Sequence, residues 1–119
     1  MPGKLVAIIE DQTDVQNNYV DALRRDGYRA RGYDSGEKAL EAFQNKLPDL
    51  AIIDINLGEG MDGLDLCSEL RSRSEALPIM ILTAKEGEIN QAAGLTRGAD
   101  DYVTKSTSLD LIMLSLIHI

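Results

Sequence analysis

The sequence predicts an α/β fold in which helices cover both faces of a parallel sheet. Three continuous apolar runs, at residues 5–9, 50–53 and 79–82, are typical of strands that are buried on both faces. Segments with the apolar spacing of helices alternate with the strands along the chain. The alternation gives five predicted strands and five predicted helices, and it predicts right-handed crossovers.

The two remaining strands are more polar and are predicted at the edges of the sheet. Residues 28–33 alternate in polarity and place Arg29 and Arg31 on the same side, while residues 101–104 form a short strand that ends at Lys105. With the three apolar strands in the centre, the predicted strand order is 2-1-3-4-5. That order is the flavodoxin-like (βα)5 arrangement of a doubly wound parallel sheet.

Cap residues mark the first three predicted helices. Thr13 and Gln16 have the spacing of a capping box at the start of the first helix. Ser35 precedes the second helix, which is predicted to continue until Pro48 ends it, and Asp62 is predicted to cap the third.

The last two predicted helices have unusual compositions. Residues 88–97 are rich in alanine and interrupted by Gly94, so this fourth helix is expected to be the loosest. The fifth, from about residue 109 to residue 119, is apolar nearly all round. We therefore expect it to contact a partner, and we expect residues 1–119 to be the N-terminal part of a longer protein.

Composition bounds the protein class. A chain of 119 residues fits one domain, and its net charge of −8 disfavours binding to nucleic acid or to anionic membranes. A single cysteine, Cys67, excludes an internal disulfide and falls on the apolar stripe of the third helix, where it is predicted to be buried. The apolar run near the N-terminus is too short for a signal peptide or a membrane span, so a cytoplasmic location is predicted.

Reactive side chains follow four of the predicted strands. Glu10 and Asp11 follow the first strand, Asp54 the third, Thr83 the fourth and Lys105 the fifth. Taken singly, these residues have ordinary explanations as helix-capping acids, a strand-end threonine and a solvated lysine. Because the carboxyl ends of parallel strands lie at one edge of a sheet, we predict that they share one site.

The residue types at this edge indicate phosphoryl chemistry. Three neighbouring carboxylates require a divalent cation, and oxygen ligands without a nearby His or Cys favour Mg²⁺ over zinc. A lysine and a hydroxyl beside the cation can bind phosphoryl oxygens. Asp54 is the natural nucleophile and would form an aspartyl phosphate.

With these motifs, the sequence resembles the receiver domains of two-component response regulators over its whole length. The resemblance rests on Ile8-Ile9-Glu10-Asp11, Asp54, Met61-Asp62-Gly63, Leu82-Thr83-Ala84 and Asp101-Tyr102-Val103-Thr104-Lys105. It implies a signalling switch rather than an enzyme. The switch would assist its own phosphorylation and dephosphorylation. The phosphoryl group would come from a sensor histidine kinase or a phosphotransfer protein.

The resemblance also implies residue roles. Asp54 would be the phosphoacceptor, and Thr83 and Lys105 would contact the phosphoryl oxygens. The implied metal ligands are Glu10, Asp11, Asp54 and the backbone carbonyl of Asn56. Thr83 and Tyr102 would act as the switch, changing the surface formed by the fourth helix, the fifth strand and the fifth helix, through which a homodimer is also possible.

The sequence departs from the family pattern at two places. Ser106 replaces the usual proline after Lys105, and because a cis bond before a non-proline residue costs about 2.5–4 kcal/mol, cis and trans both remain open. The loop after Asp54 lacks the usual proline and is one residue longer, with Glu59 expected to face water.

Three alternative functions share the predicted topology or chemistry. A flavodoxin would need a hydroxyl-rich phosphate loop where this chain has acids, and a phosphatase of the haloacid dehalogenase type would need an Asp-x-Asp pattern after the first strand. A receiver that is never phosphorylated and acts as a protein interaction module remains the serious competitor.

Overall fold

The computed structural model describes residues 3–84 and 98–105. This part of the chain contains eight elements: β1 (Leu5–Ile9), α1 (Thr13–Arg25), β2 (Arg29–Tyr33), α2 (Gly36–Ala42), β3 (Leu50–Asp54), α3 (Gly63–Arg73), β4 (Ile79–Thr83) and β5 (Asp101–Thr104). The predicted fourth and fifth helices and the Lys105–Ser106 bond lie outside the described residues. Within those ranges no helix is both long and apolar enough to cross a lipid bilayer.

The five strands form a single sheet in the order β2-β1-β3-β4-β5, and every pairing is parallel. This order confirms the predicted topology. The three apolar strands lie in the centre, where Ile8 pairs with Ile52 and Ile53 pairs with Ile81. The more polar strands β2 and β5 lie at the edges, as their composition predicts.

The sheet separates two hydrophobic cores, so helices cover both faces. Side chains of α2 and α3 pack on one face, and side chains of α1 pack on the other. The first core includes Ile9, Ala39, Phe43, Ile53, Leu66, Cys67, Leu70 and Ile81, and the second includes Ile8, Tyr19, Val20, Leu23, Ile52 and Leu82. Cys67 is fully buried, which confirms its predicted place in the core.

Two of the predicted helix caps are confirmed. The Ser35 hydroxyl accepts a hydrogen bond from the Lys38 N–H at 3.1 Å, and the Asp62 carboxylate accepts one from the Asp65 N–H at 2.8 Å. Both bonds satisfy backbone donors in a first helical turn, which has no partners inside the helix. The second cap fixes α3 directly behind the loop that follows β3.

Two helix boundaries differ from the prediction. The capping box at α1 is wrong, because Gln12 occupies the N-cap position and the Gln16 side chain donates to the Glu10 carbonyl at 2.9 Å instead. Helix α2 ends at Ala42 rather than near Pro48. Phe43 is the C-cap and its ring is buried in the first core. Pro48 restricts only the residue before it, so it does not set this end of the helix.

Arg71 joins three segments of the fold, a role that no sequence motif indicates. Its guanidinium donates to the carbonyls of Gly98, Leu77 and Glu75, each at 2.7 Å, and pairs with Asp100 at 3.1 Å. Arg71 therefore ties the end of α3 to the loop before β4 and to the residues that precede β5.

Replacing Arg71 with lysine is expected to lower the free energy of unfolding by about 2–3 kcal/mol. The single ammonium of lysine cannot bond the carbonyls of Gly98 and Leu77 at the same time. Urea denaturation would measure the loss. The exposed Arg73, also in the last turn of α3, gives the matched control, and Arg73→Lys should change stability by about 0.5 kcal/mol or less. Equal effects of the two substitutions would contradict the role given to Arg71.

Candidate functional site

Three carboxylates meet at the carboxyl edge of the sheet. Glu10 and Asp11 follow β1, and Asp54 is the last residue of β3. Carboxylate oxygens of these three residues lie within 4.8 Å of one another. Glu10 and Asp54 are buried, whereas Asp11 is exposed, so the cluster opens toward solvent on one side.

Lys105 bridges the two buried acids. Its ammonium lies 2.9 Å from Glu10 Oε1 and 2.9 Å from Asp54 Oδ2. The backbone places it there, because the Lys105 N–H donates to the Thr83 carbonyl at 2.7 Å and continues the pairing of β4 with β5. Thr83 is fully buried at the carboxyl end of β4. The structure thus brings together the acids, the threonine and the lysine of the predicted site.

The loop after β3 completes the edge of the site. The Asn56 N–H donates to Asp54 Oδ1 at 3.2 Å and so orients that carboxylate. Gly58 has a φ of +74°, and a Cβ added there would lie 3.3 Å from Asp11 Oδ2. The loop therefore passes close to both acids. Glu59 is exposed, in agreement with its predicted orientation toward water.

Burial makes the negative charge in this cluster costly. Burial, together with the neighbouring Asp54 carboxyl, raises the pKa of Glu10 from 4.5 to about 8, although the Lys105 ammonium acts in the opposite direction. Burial alone would lower the pKa of Lys105, but its hydrogen bonds to Glu10 and Asp54 raise that pKa above the ordinary 10.5.

The donor set fits a divalent cation. All three side chains offer carboxylate oxygens, which are hard ligands suited to Mg²⁺, Mn²⁺ or Ca²⁺. Glu10 Oε2 is buried and has no hydrogen-bond partner among the described residues. A buried carboxylate oxygen without a donor is unfavourable, and a cation beside it would remove that cost.

Replacing Glu10 with glutamine is expected to raise the free energy of unfolding at pH 8, without divalent cations, by about 1–2 kcal/mol. In the native chain the pKa of Glu10 is higher folded than unfolded, so its contribution to stability is full below pH 4.5 and lost as the pH rises through about 8. Denaturation curves of both proteins between about pH 5 and pH 9 would measure this difference in the free energy of unfolding. A difference that grows toward low pH would contradict the assignment.

Tyr102 packs against the first core, which contains Cys67. Its side chain is half-buried, and burial raises the pKa of its hydroxyl above 10.0. The predicted switching role of Tyr102 stays a prediction, as does that of Thr83. Lys85 flanks the predicted site in sequence, and His118 lies far from it. Both fall outside the described residues.

The comparison with protein families decides the classification. The family model for the response regulator receiver domain matches residues 6–117. The chain belongs to this family. As a receiver domain, it has relatives that include the sensory transduction protein RegX3 of Mycolicibacterium smegmatis, which is 39% identical over 103 residues. The transcriptional regulatory protein PhoP of Bacillus subtilis, named for alkaline phosphatase synthesis, is 35% identical over 106 residues.

The receiver domain covers only part of these relatives. The aligned residues are 87% of this chain and 44% of RegX3, and 89% of this chain and 44% of PhoP. The chain therefore spans less than half the length of either relative.

Solved structures share the fold of this receiver domain over nearly its full length. The response regulator TrrA of Thermotoga maritima, crystallised in complex with Mg²⁺ and BeF, has a TM-score of 0.85 and 27% identity and covers 97% of both chains. The BeF3-activated N-terminal receiver domain of RstA from Klebsiella pneumoniae has a TM-score of 0.85 and 28% identity and covers 96% of both chains. These likenesses agree with the order of the five strands in the sheet.

Proposed function

We propose that this receiver domain is a phosphorylation-activated switch that accepts a phosphoryl group on Asp54. The donor would be a phosphohistidine of a sensor histidine kinase or of a phosphotransfer protein. The observation that supports this proposal most directly is the position of Lys105, 2.9 Å from both buried acids in a cluster of three carboxylates. A lysine held there can pair with the Asp54 carboxylate first and then stabilise the negative charge of an incoming phosphoryl group.

The transfer needs one bond exchange. A carboxylate oxygen of Asp54 attacks phosphorus, the bond between phosphorus and the donor nitrogen breaks, and the electron pair remains on the imidazole. Asn56 N–H and the Lys105 ammonium each hold one oxygen of Asp54, so the carboxylate is oriented before the donor arrives. Thr83 would contact a phosphoryl oxygen from the end of β4.

The proposed cofactor is Mg²⁺. The residues that would hold it are Glu10, Asp11, Asp54 and, through its backbone carbonyl, Asn56. When bound, Mg²⁺ supplies positive charge that neutralises the carboxylates and the phosphoryl oxygens.

The proposed output is a change in the surface around β5, with Thr83 and Tyr102 as the switching residues. RegX3 and PhoP are named for sensory transduction and transcriptional regulation, and the chain covers 44% of each, which supports a role within a longer regulator. The proposed location is the cytoplasm. The domain itself would not bind nucleic acid, because its net charge is −8. It would control an output domain or a protein partner, with a homodimer as one possible form.

The test is intact mass after incubation with acetyl phosphate, with and without Mg²⁺. We expect one added phosphoryl group that requires Mg²⁺ and is absent in Asp54→Asn, while the exposed Asp26→Asn variant behaves as the native chain. A native chain that gains no mass and binds no beryllofluoride would reject the proposal. That result would favour the interaction module that is never phosphorylated.

A further inference from the structure

A glutamate at the start of α2 contacts the loop that follows Asp54. Glu37 lies in the first turn of α2, behind the Ser35 cap, and its Oε2 accepts a hydrogen bond from the Met61 N–H at 3.0 Å. The two residues are 24 positions apart in sequence. The contact therefore joins two elements that the sequence pattern alone does not bring together.

The loop is shaped to receive this carboxylate. Gly60 has a φ of +88°, and a Cβ added to it would lie 2.6 Å from Glu37 Oε2. A Cβ added to Gly36 would lie 3.0 Å from the Met61 sulfur. Both glycines thus allow the close approach of α2 to the loop. The hydrogen bond from Met61 lowers the pKa of Glu37, so the side chain is a carboxylate at neutral pH and a strong acceptor.

The same loop contacts the site at its other end. The Asn56 N–H bonds to Asp54, and Gly58 passes beside Asp11. Gly58 and Gly60 both have positive φ, and glycine can also adopt many other backbone conformations. Without a tether, this segment could therefore leave its present conformation. Fixing Met61 therefore restricts the chain that carries the Asn56 carbonyl, a proposed metal ligand.

We propose that Glu37 is a positioning residue for the phosphoacceptor site. By holding the Met61 N–H, it keeps the loop of residues 55–62 beside Asp11 and Asp54 and restricts the Asn56 carbonyl to where it would bind the cation. Glu37 does not itself touch the phosphoryl group. The inference rests on the proposed function for its effect on phosphorylation, but its effect on cation binding can be measured independently.

The first measurement is the affinity for Mg²⁺ alone, by titration calorimetry of the unphosphorylated chain. Glu37→Ala is expected to weaken Mg²⁺ binding about tenfold, the effect of losing one charge-assisted hydrogen bond. Glu37→Gln keeps an oxygen acceptor and should remain within about threefold of the native affinity. The control Glu41→Ala removes another exposed carboxylate from the same helix and should leave the affinity unchanged.

The second measurement is the rate of phosphorylation by acetyl phosphate at limiting Mg²⁺. Glu37→Ala should lower the rate by about the same tenfold factor, and saturating Mg²⁺ should recover most of it. The melting temperature of each variant should stay within about 4 °C of the native value, which excludes global destabilisation as the cause.

The outcomes separate this inference from the proposed function. A native chain that binds Mg²⁺ but gains no phosphoryl group and binds no beryllofluoride would reject the proposed function, while the affinity series would still decide the role of Glu37. Native affinity in Glu37→Ala would overturn the positioning role. Equal losses in Glu37→Ala and Glu37→Gln would also overturn it, because charge alone would then account for the effect.

Discussion

Replacing Lys105 with methionine is expected to slow phosphorylation of Asp54 about 100-fold and, at the same time, to tighten Mg²⁺ binding. The ammonium occupies oxygens of Glu10 and Asp54 that a cation would share, so its loss leaves the carboxylates with a more negative potential. Phosphoryl transfer loses a preorganised positive group, a loss that costs about 2.7 kcal/mol for a 100-fold change in rate. Methionine retains most of the aliphatic volume of the lysine stem.

Initial rates with acetyl phosphate at saturating Mg²⁺, together with calorimetric Mg²⁺ titrations, would measure the two opposite effects. The control is Lys46→Met, since Lys46 is exposed and lies among residues after α2, including Phe43 and Leu47, at a separate cavity. The control should leave both quantities unchanged. If Lys105→Met weakened Mg²⁺ binding and phosphorylation in parallel, Lys105 would have a general structural role rather than the proposed one.

Replacing Gly63 with alanine is expected to destabilise the domain by about 3 kcal/mol. A Cβ at this position would lie 2.2 Å from the Asp54 carbonyl oxygen and 2.7 Å from the Ile55 Cα. Both atoms belong to the backbone and cannot move without shifting β3 or α3. The free-energy cost of the clash should therefore lie near the upper end of the range for overpacked cores. Relief by movement would also displace Asp54 and reduce its phosphorylation.

Gly27→Ala provides the comparison for Gly63→Ala in urea denaturation. Gly27 has a φ of +90°, but no atom lies within 4 Å of an added Cβ. Alanine there should cost only the backbone strain, about 1 kcal/mol. A loss at Gly63 no larger than the loss at Gly27 would mean that α3 and β3 can separate easily, contrary to the tight packing described above.

The sequence predicted the sheet and the acidic cluster well because both depend on simple patterns. Continuous apolar runs identified the central strands, and the shared edge of parallel strand ends brought Glu10, Asp54 and Lys105 together. Local patterns do not choose between competing polar partners. Gln16 could complete a capping box or satisfy the Glu10 carbonyl, and only the folded chain places that carbonyl within its reach.

Long-range polar contacts were the least predictable features. Glu37 has an adequate local explanation as an acid in a first helical turn, and its bond to Met61 arises only when α2 and the loop come together. Arg71 similarly appears as a basic residue in a last helical turn, although its partners near Gly98 are 27 residues away. A charged side chain whose local role is already satisfied gives no sequence signal of a second role.

The division of the sheet into two cores has a consequence for how such a domain can diverge. Successive residues of one strand, such as Ile8 and Ile9 or Ile52 and Ile53, contribute to different cores. Substitutions that reshape the packing under α1 therefore leave the core beside Tyr102 largely intact, and the reverse also holds. The two packed faces can accordingly diverge at separate positions, while the carboxylates at the shared edge stay fixed.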